Sequence, residues 1–132
     1  LNHNIETVSR VFPKVRHKGD YKQSLDLLSR AKDMAPESVT KSGMMVGLGE
    51  SKDEVTETMK EIVDLGVVIF TIGQYLQPTK DHLEVKRYVE DEEFLYYKQK
   101  GLELGFQVVE SGPLVRSSYH ADEQARLVSE KA

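Results

Sequence analysis

Residues 67–72 (VVIFTI) constrain the fold of this chain more than any other stretch. The run is β-branched or apolar throughout and carries no charge. Short runs of this kind are typical of strands buried in a parallel sheet. Three polar residues, Gln74, Tyr75 and Gln77, lie just past its carboxyl end. That end of a strand is where parallel α/β proteins bind their ligands.

Strand and helix signals alternate along the rest of the sequence. Short apolar segments predict strands over residues 1–8, 39–49, 67–72 and 106–109. Apolar residues at helical spacing predict helices over residues 20–34, 51–66 and 91–105. The intervening residues 9–19 and 78–89 are predicted to be irregular. The strand-helix alternation predicts an α/β fold with parallel strands, as a small sheet or an open half-barrel.

Three helix starts have recognisable capping residues. Ser51 with Glu54, and Asp20 with Gln23, fit the capping-box spacing. Asp91 is predicted to cap the third helix, where the acidic run of residues 91–93 meets the positive end of the helix dipole. This run therefore requires no catalytic explanation.

Composition excludes several classes of protein. With 132 residues and 39% apolar residues, the chain is long enough for one modest domain. A net charge of −4 provides no basic surface for nucleic acid. No apolar run approaches the roughly 20 residues that cross a bilayer, and no signal-peptide pattern opens the chain. We expect a soluble intracellular protein without a membrane or nucleic-acid partner, and the start at Leu1 predicts a piece of a longer protein.

Cysteine is absent, which excludes disulfides, thiolate zinc sites and any cluster held by this chain's own thiolates. The sequence has no phosphate-binding glycine loop, no dinucleotide fingerprint and no short metal-ligand spacing among its four histidines. The residues alone therefore indicate an α/β ligand-binding domain.

Two stretches supply candidate binding residues. Asn2, Asn4 and Glu6 are spaced by two, so an extended segment would project them from one face toward ligand hydroxyls. The alternative is a polar turn that caps itself, which these residues alone favour. In residues 39–49, Gly43 and Gly47 share a face and present bare backbone on either side of the intervening Met45. Approach of a flat ring and tight packing of a helix explain that backbone equally well.

Residues 111–120 (SGPLVRSSYH) crowd a turn, an arginine, two hydroxyls and an imidazole near the chain end. Ordinary C-terminal segments are solvated and frayed, and a tail or short helix is predicted over residues 122–132. The dense functional groups of residues 111–120 indicate an element of a site.

Four stretches closely resemble the lipoyl synthase family. They are residues 1–8 (LNHNIETV), 41–50 (KSGMMVGLGE), 71–78 (TIGQYLQP) and 111–119 (SGPLVRSSY). The resemblance covers the chain to about residue 124 and corresponds to the C-terminal half of that enzyme, without its two cysteine triplets. Ser9 departs from the proline that many members carry, which affects a loop.

The resemblance implies a partial (β/α) barrel over residues 1–110 and a C-terminal extension over residues 111–132. It also implies two four-iron four-sulfur clusters and S-adenosylmethionine. One cluster and S-adenosylmethionine generate a 5′-deoxyadenosyl radical, and an auxiliary cluster gives up sulfur to protein-bound octanoyl groups. Since this chain lacks the cluster cysteines, we expect it to be inactive alone. The unpaired sheet edges of an isolated half-barrel predict that it aggregates or needs its missing half.

The family pattern also implies roles for individual residues. Asn4 and Glu6 would contact the ribose hydroxyls of S-adenosylmethionine, and Asn2 would lie toward the substrate. The family's GxIxGxxE motif, whose strand backs the adenine, is matched by Gly43, Met45, Gly47 and Glu50. Two residues past the next strand, Gln74 and Tyr75, would also lie near the adenine.

The Arg-Ser-Ser-Tyr run implies a metal ligand. One of Ser117 and Ser118 would ligate the auxiliary cluster through oxygen, a ligand more easily displaced from iron than a thiolate. The resemblance assigns no catalytic residue in this chain, and Arg116 is the one candidate, since it would favour the serine alkoxide or guard the site.

The implied partners are an octanoylated lipoyl-carrier domain or H protein, and an electron donor such as flavodoxin or ferredoxin. The implied compartment is the cytoplasm, or a mitochondrion or plastid in a eukaryote. Two alternatives remain. A sulfur-inserting enzyme similar to biotin synthase shares the first two motifs, and a cysteine-free S-adenosylmethionine or nucleotide binding module requires no cluster.

Overall fold

A parallel sheet forms the centre of the molecule. The computed structural model describes residues 3–15, 21–36 and 39–115. Its strands are β1 (Lys41–Val46), β2 (Ile69–Gln74) and β3 (Val108–Gly112), in the order β1-β2-β3 with both pairs parallel. In the described part of the chain the sheet is open, which confirms the predicted α/β fold and is consistent with a partial barrel.

The described residues form four helices besides this sheet. They are α1 (Phe12–Val15), α2 (Tyr21–Met34), α3 (Lys52–Asp64) and α4 (Asp91–Leu104). Helix α3 connects β1 to β2 and helix α4 connects β2 to β3, so each crossover is a βαβ unit. The apolar stripes of α3 and α4 cover one face of the sheet, where Met59, Ile62 and Tyr97 are completely buried. The opposite face is left for a ligand.

Residues 3–8 run beside β1 as an extended segment. The His3 and Ile5 amides donate to the carbonyls of Lys41 and Gly43 at 3.1 and 3.0 Å, and the Met45 amide donates to the Glu6 carbonyl at 2.8 Å. In the described part of the strand predicted over residues 1–8, residues 3–6 pair along β1 without forming a regular strand. Its buried Ile5 anchors it to the core.

Pairing moves two strands from their predicted bounds. Strand β2 begins at Ile69 and continues through Gly73 and Gln74, which pair with the last two residues of β1. Strand β3 was expected over residues 106–109 and instead runs to Gly112, because Ser111 and Gly112 pair with the carboxyl end of β2. Cross-strand hydrogen bonding, not the apolar run, sets both ends. Strand β3 therefore crosses the boundary predicted after residue 110.

The predicted helix starts had different outcomes. The Ser51–Glu54 capping box is confirmed, since the Glu54 amide donates to Ser51 Oγ at 3.1 Å and the Ser51 amide donates to Glu54 Oε1 at 2.9 Å. The Asp91 cap was wrong, because Glu90 occupies the cap position without a side-chain bond and Asp91 is the first helical residue. Asp20 lies outside the described residues.

Residues 9–19 were expected to be irregular, and the described part of this range contains α1. Pro13 is its second residue. Proline is tolerated in a first turn, where the missing amide hydrogen would have no helical partner.

Within the described ranges, no helix is both long and apolar enough to span a membrane.

Arg10 ties the N-terminal segment to the start of α3. Its guanidinium donates to both carboxylate oxygens of Glu54, at 2.8 and 2.9 Å, and to the Gly49 carbonyl at 2.8 Å. The hydrogen bond from Arg10 is the main reason that the pKa of Glu54 falls to about 2. This contact fixes residues 3–10 relative to the loop that follows β1.

Acid should abolish the contribution of this contact to stability. Because the folded pKa of Glu54 lies below its unfolded value of roughly 4.3, the contribution is complete above that pH and is lost as pH falls through about 2. We expect Arg10→Ala to lower the melting temperature at pH 7, and the difference from wild type to shrink progressively below pH 4. The pair is solvent-exposed, so added salt should shrink it as well.

The matched control is Arg30→Ala, which removes an exposed arginine from α2. Thermal melts by circular dichroism between pH 3 and pH 7 would measure both variants. A pH-independent effect of Arg10→Ala would contradict the ionic origin of the contact.

Candidate functional site

A cavity of about 380 Å³ opens on the face of the sheet that the helices leave free. It lies at the carboxyl ends of β1 and β2, where parallel sheets bind ligands. Its lining residues come from the N-terminal segment, both strands, the chain after β2 and the end of the described chain: Asn4, Glu6, Gly43, Met44, Met45, Thr71, Gly73, Gln74, Leu76, Gln77, Pro78 and Val115.

The floor of the cavity is a row of three residues across the sheet. Gly43 pairs with Thr71 of β2 and lies beside Asn4 of the N-terminal segment. A Cβ on Gly43 would overlap Oγ1 of Thr71 and lie 3.3 Å from Oδ1 of Asn4. Glycine therefore leaves a notch between two polar side chains. Close packing of the Thr71 side chain explains this glycine, and the same bare backbone faces the cavity.

Asn4 lines the cavity and is one of several described residues with a buried polar atom that has no hydrogen-bond partner. Its amide oxygen is buried and has no hydrogen-bond partner among the described residues. Leaving such an acceptor unpaired costs about 1–3 kcal/mol, so buried polar groups are normally paired. An acceptor of this kind beside a cavity indicates that a ligand donor completes its hydrogen bonding.

Glu6 enters the cavity from a strained turn. Its φ is 70°, in the left-handed region, and the Thr7 amide donates to the Ile5 carbonyl at 2.8 Å across it. This is a γ-turn, which is rare with a positive central φ. Glutamate gains nothing locally from that conformation, and backbone strain of this kind clusters at functional sites. The turn places both Asn4 and Glu6 at one cavity, as their spacing predicted.

Glu6 is the only charged side chain among the cavity-lining residues of the described chain. Much of the remaining lining is apolar, from Met45, Leu76, Pro78 and Val115. The cavity therefore combines a flat apolar wall with a polar floor and one carboxylate. It favours a neutral or cationic ligand with hydrogen-bond donors over a phosphate.

Gly47 and Glu50 build the loop beyond β1 and are absent from the lining. The Glu50 carboxylate is buried and accepts the Gly47 amide at 3.0 and 3.1 Å and the Leu48 amide at 3.0 Å. Burial raises the pKa of Glu50, and these backbone donors oppose the rise. Gly47 has a φ of 101° and contacts the Gln74 side-chain amide.

Gln74 fastens the chain that leaves β2. Its amide nitrogen donates to the carbonyls of Tyr75 and Arg87 at 3.0 and 3.1 Å, and its oxygen accepts the Val89 amide at 2.9 Å. Tyr75 is also buried, with its hydroxyl donating to the Leu83 carbonyl at 2.7 Å. Both side chains therefore hold residues 75–89 against the strand ends.

An ion pair extends this arrangement to α4. Arg87 donates to both carboxylate oxygens of Glu93 at 3.0 and 2.6 Å, and the buried Tyr97 hydroxyl donates to the same carboxylate. The Arg87 hydrogen bonds are the main cause that lowers the pKa of Glu93. Arg87 is solvent-exposed, and its ion pair with Glu93 also joins the irregular segment to α4.

A second cavity of about 740 Å³ adjoins the first and shares Glu6, Met45 and Pro78 with it. Tyr75 lines this second cavity, and Lys14, Asp81 and His82 give it a mixed charge. Among the residues that the structure describes, no group of three or more histidine, cysteine, aspartate or glutamate side chains could hold a metal ion.

The predicted site residues divide into three groups. Asn4, Glu6, Gly43, Met45 and Gln74 meet at the first cavity, whereas Gly47, Glu50 and Tyr75 support its surroundings. The remaining predicted residues lie outside the described chain: Asn2, Arg116, Ser117 and Ser118.

Sequence reasoning missed several lining residues. Thr71 was hidden inside an apolar run, although its two-residue spacing from Gly73 places both on the cavity face. Leu76, Pro78 and Val115 come from irregular segments without periodicity, so no local signal marked them.

Removing the Gln74 amide should loosen the segment that covers the strand ends. Gln74→Met keeps the length of the side chain but leaves three backbone groups of residues 75–89 without its hydrogen bonds. We expect faster amide hydrogen exchange over residues 75–89 and a loss of about 2–4 kcal/mol in the free energy of unfolding. Gln99→Met, at an exposed position on α4, is the control. Equal exchange in both variants would show that Gln74 does not fasten the segment.

Comparison with known proteins gives the ancestry of this fold and cavity. The chain is 57% identical over 124 residues to a lipoyl synthase of Halalkalibacterium halodurans, covering 94% of this chain and 41% of that protein. It is 53% identical over 131 residues to a lipoyl synthase of Bacillus subtilis, covering 99% of this chain and 44% of that protein. A lipoyl synthase of Pseudomonas fluorescens is 53% identical over 128 residues, covering 97% of this chain and 38% of that protein.

The chain thus spans less than half the length of the curated relatives it matches. No family model matches it. The predicted resemblance is nevertheless confirmed by identities above 50% over nearly the whole chain, and on this evidence the chain belongs to the lipoyl synthase family.

Proposed function

We propose that this chain forms the S-adenosylmethionine-binding part of a lipoyl synthase, which inserts sulfur into protein-bound octanoyl groups. The observation that carries the proposal is the cavity at the strand ends, into which Asn4 brings an unpaired buried acceptor. Relatives named lipoyl synthase cover almost all of this sequence. The family motifs and the cavity therefore coincide.

The lining fits the proposed ligand chemically. Ribose hydroxyls would donate to Asn4 Oδ1 and to the Glu6 carboxylate, and adenine would lie farther along β1, beside Met45. S-adenosylmethionine also carries a sulfonium charge that a cavity with one carboxylate tolerates. Bound there with a reduced cluster, it would supply the radical that removes hydrogen from the octanoyl chain.

The same lining argues against the nucleotide-binding alternative. Phosphate sites in proteins use arginine, lysine or convergent backbone amides. Neither arginine nor lysine lines this cavity within the described residues, and its one charge is negative. An S-adenosylmethionine-binding module without clusters remains the second candidate, since its cavity would be the same.

The iron-sulfur clusters require residues beyond these 132. The chain has no cysteine, so we derive no step through a cluster from it. Val115 lines the cavity and immediately precedes Arg116, Ser117 and Ser118 in the sequence. That order is compatible with a serine ligand to the auxiliary cluster and a supporting role for Arg116. An octanoylated carrier domain or H protein, and a flavodoxin or ferredoxin, are the proposed partners.

The decisive experiment uses the full-length protein, purified anaerobically with reconstituted clusters. We expect it to bind S-adenosylmethionine and, with a reductant, to convert an octanoylated carrier domain to the lipoylated form, measured by mass spectrometry. The 132 residues alone should form no product. Binding without conversion by the cluster-loaded protein would favour the module, and absence of binding would overturn both functions.

Glu6 provides a site-specific test. Glu6→Gln keeps the size of the side chain but replaces a charge-assisted acceptor by a neutral one, so we expect about tenfold weaker binding of S-adenosylmethionine. Glu103→Gln, on the exposed face of α4, is the control and should bind as wild type does. Isothermal titration of the full-length protein would measure both. Unchanged affinity of Glu6→Gln would remove Glu6 from the binding site.

A further inference from the structure

We propose that Thr71 binds the ligand directly, sharing one ribose hydroxyl with Asn4 at the notch above Gly43. This inference rests on the proposed S-adenosylmethionine site and extends it by one residue. None of the sequence patterns assigned Thr71 a role. The residue is 3% exposed and lies on the cavity face of the central strand β2.

The position of Thr71 follows from the register of the sheet. It pairs with Gly43, and neighbouring residues of parallel strands project from the same face. Oγ1 of Thr71 overlaps the position that a Cβ on Gly43 would take, and Oδ1 of Asn4 lies 3.3 Å from that position. Two polar atoms from separate segments thus converge on one small volume.

Neither atom forms a hydrogen bond with the described residues. Asn4 Oδ1 has no partner among the described residues, and no hydrogen bond is formed there by the Thr71 hydroxyl either. Thr56 and Thr58 each donate to a carbonyl one turn back in α3. The buried hydroxyls of Thr7 and Thr40 also have no partner among the described residues, but neither residue lines the cavity. A hydroxyl left open toward a cavity, beside an unpaired acceptor, is the arrangement that a ligand completes.

The chemistry of the pair selects the ligand group. Asn4 Oδ1 only accepts, whereas the Thr71 hydroxyl both donates and accepts. A single ligand hydroxyl satisfies both atoms, since it donates to Asn4 and accepts from Thr71. An ether or a methylene would leave the buried oxygen of Asn4 unpaired, which is the condition under which a site discriminates most strongly against a missing hydroxyl.

The test compares Thr71→Val with Thr71→Ser in the full-length, cluster-loaded protein. Valine matches the shape of threonine without the hydroxyl, and serine keeps the hydroxyl. We expect Thr71→Val to bind S-adenosylmethionine about five- to tenfold more weakly, and Thr71→Ser to bind within about twofold of wild type. The probes are S-adenosylmethionine and its 2′-deoxy and 3′-deoxy analogues, titrated by calorimetry.

The analogues identify the contact. In wild type, one deoxy analogue should bind more weakly than S-adenosylmethionine. In Thr71→Val that difference should become smaller, because only the hydrogen bond to Asn4 is then left for the analogue to lose. Thermal melting without ligand adds an independent readout. A hydroxyl with no protein partner costs stability when buried, so Thr71→Val should melt at or above the wild-type temperature.

The outcomes separate this inference from the proposed function. If wild type does not bind S-adenosylmethionine, the proposed function fails and Thr71 loses its ligand. Two results would overturn only the inference about Thr71. One is that Thr71→Val binds S-adenosylmethionine as tightly as wild type does. The other is that removing either ribose hydroxyl from the ligand weakens binding by the same factor in Thr71→Val as in wild type. A marked fall in the melting temperature of Thr71→Val would assign the hydroxyl a structural role and would overturn the inference as well.

Discussion

The buried carboxylate of Glu50 fixes the loop that follows β1. It accepts three hydrogen bonds from the amides of Gly47 and Leu48, which would otherwise point unpaired into the protein just past β1. The loop so formed presents the Gly47 carbonyl to the Lys86 amide at 2.8 Å. One carboxylate therefore holds the loop after β1 and, through it, the irregular segment after β2.

The Gln74 and Arg87 contacts depend on that loop. The Gln74 amide reaches the Arg87 carbonyl because Gly47, which it touches, has no side chain. Arg87 then joins the segment to Glu93 at the start of α4. Burial raises the pKa of Glu50, and the amides of Leu48 and Gly47, followed by the positive charge of Arg87, oppose that rise. The loop after β1, the irregular segment after β2 and the start of α4 are thus joined by contacts that depend on one another.

Local pattern predicted the order of the strands and helices because βαβ units repeat their signals. The run at residues 67–72 located β2, and the Ser51–Glu54 box located α3 at its first residue. Contacts between distant residues set what the pattern missed. The end of β3 depends on pairing with Gly73, and the left-handed turn at Glu6 depends on the Met45 amide, which no local preference of glutamate signals. The spacing of Asn4 and Glu6 left open a shared ligand-facing side and a polar turn, and the structure has a turn at Glu6 with both residues lining one cavity.

The GxIxGxxE residues have two different physical tasks in this fold. Gly43 and Met45 alternate along β1 and face the cavity, so a ligand can contact them. Gly47 and Glu50 lie beyond the strand, where the period-two rule no longer applies, and their contacts are with the protein itself. A substitution in the first pair would change the surface that a ligand touches, whereas one in the second would release the loop and the segment bound to it. Motif membership alone does not distinguish these tasks, and the hydrogen bonds of each residue do.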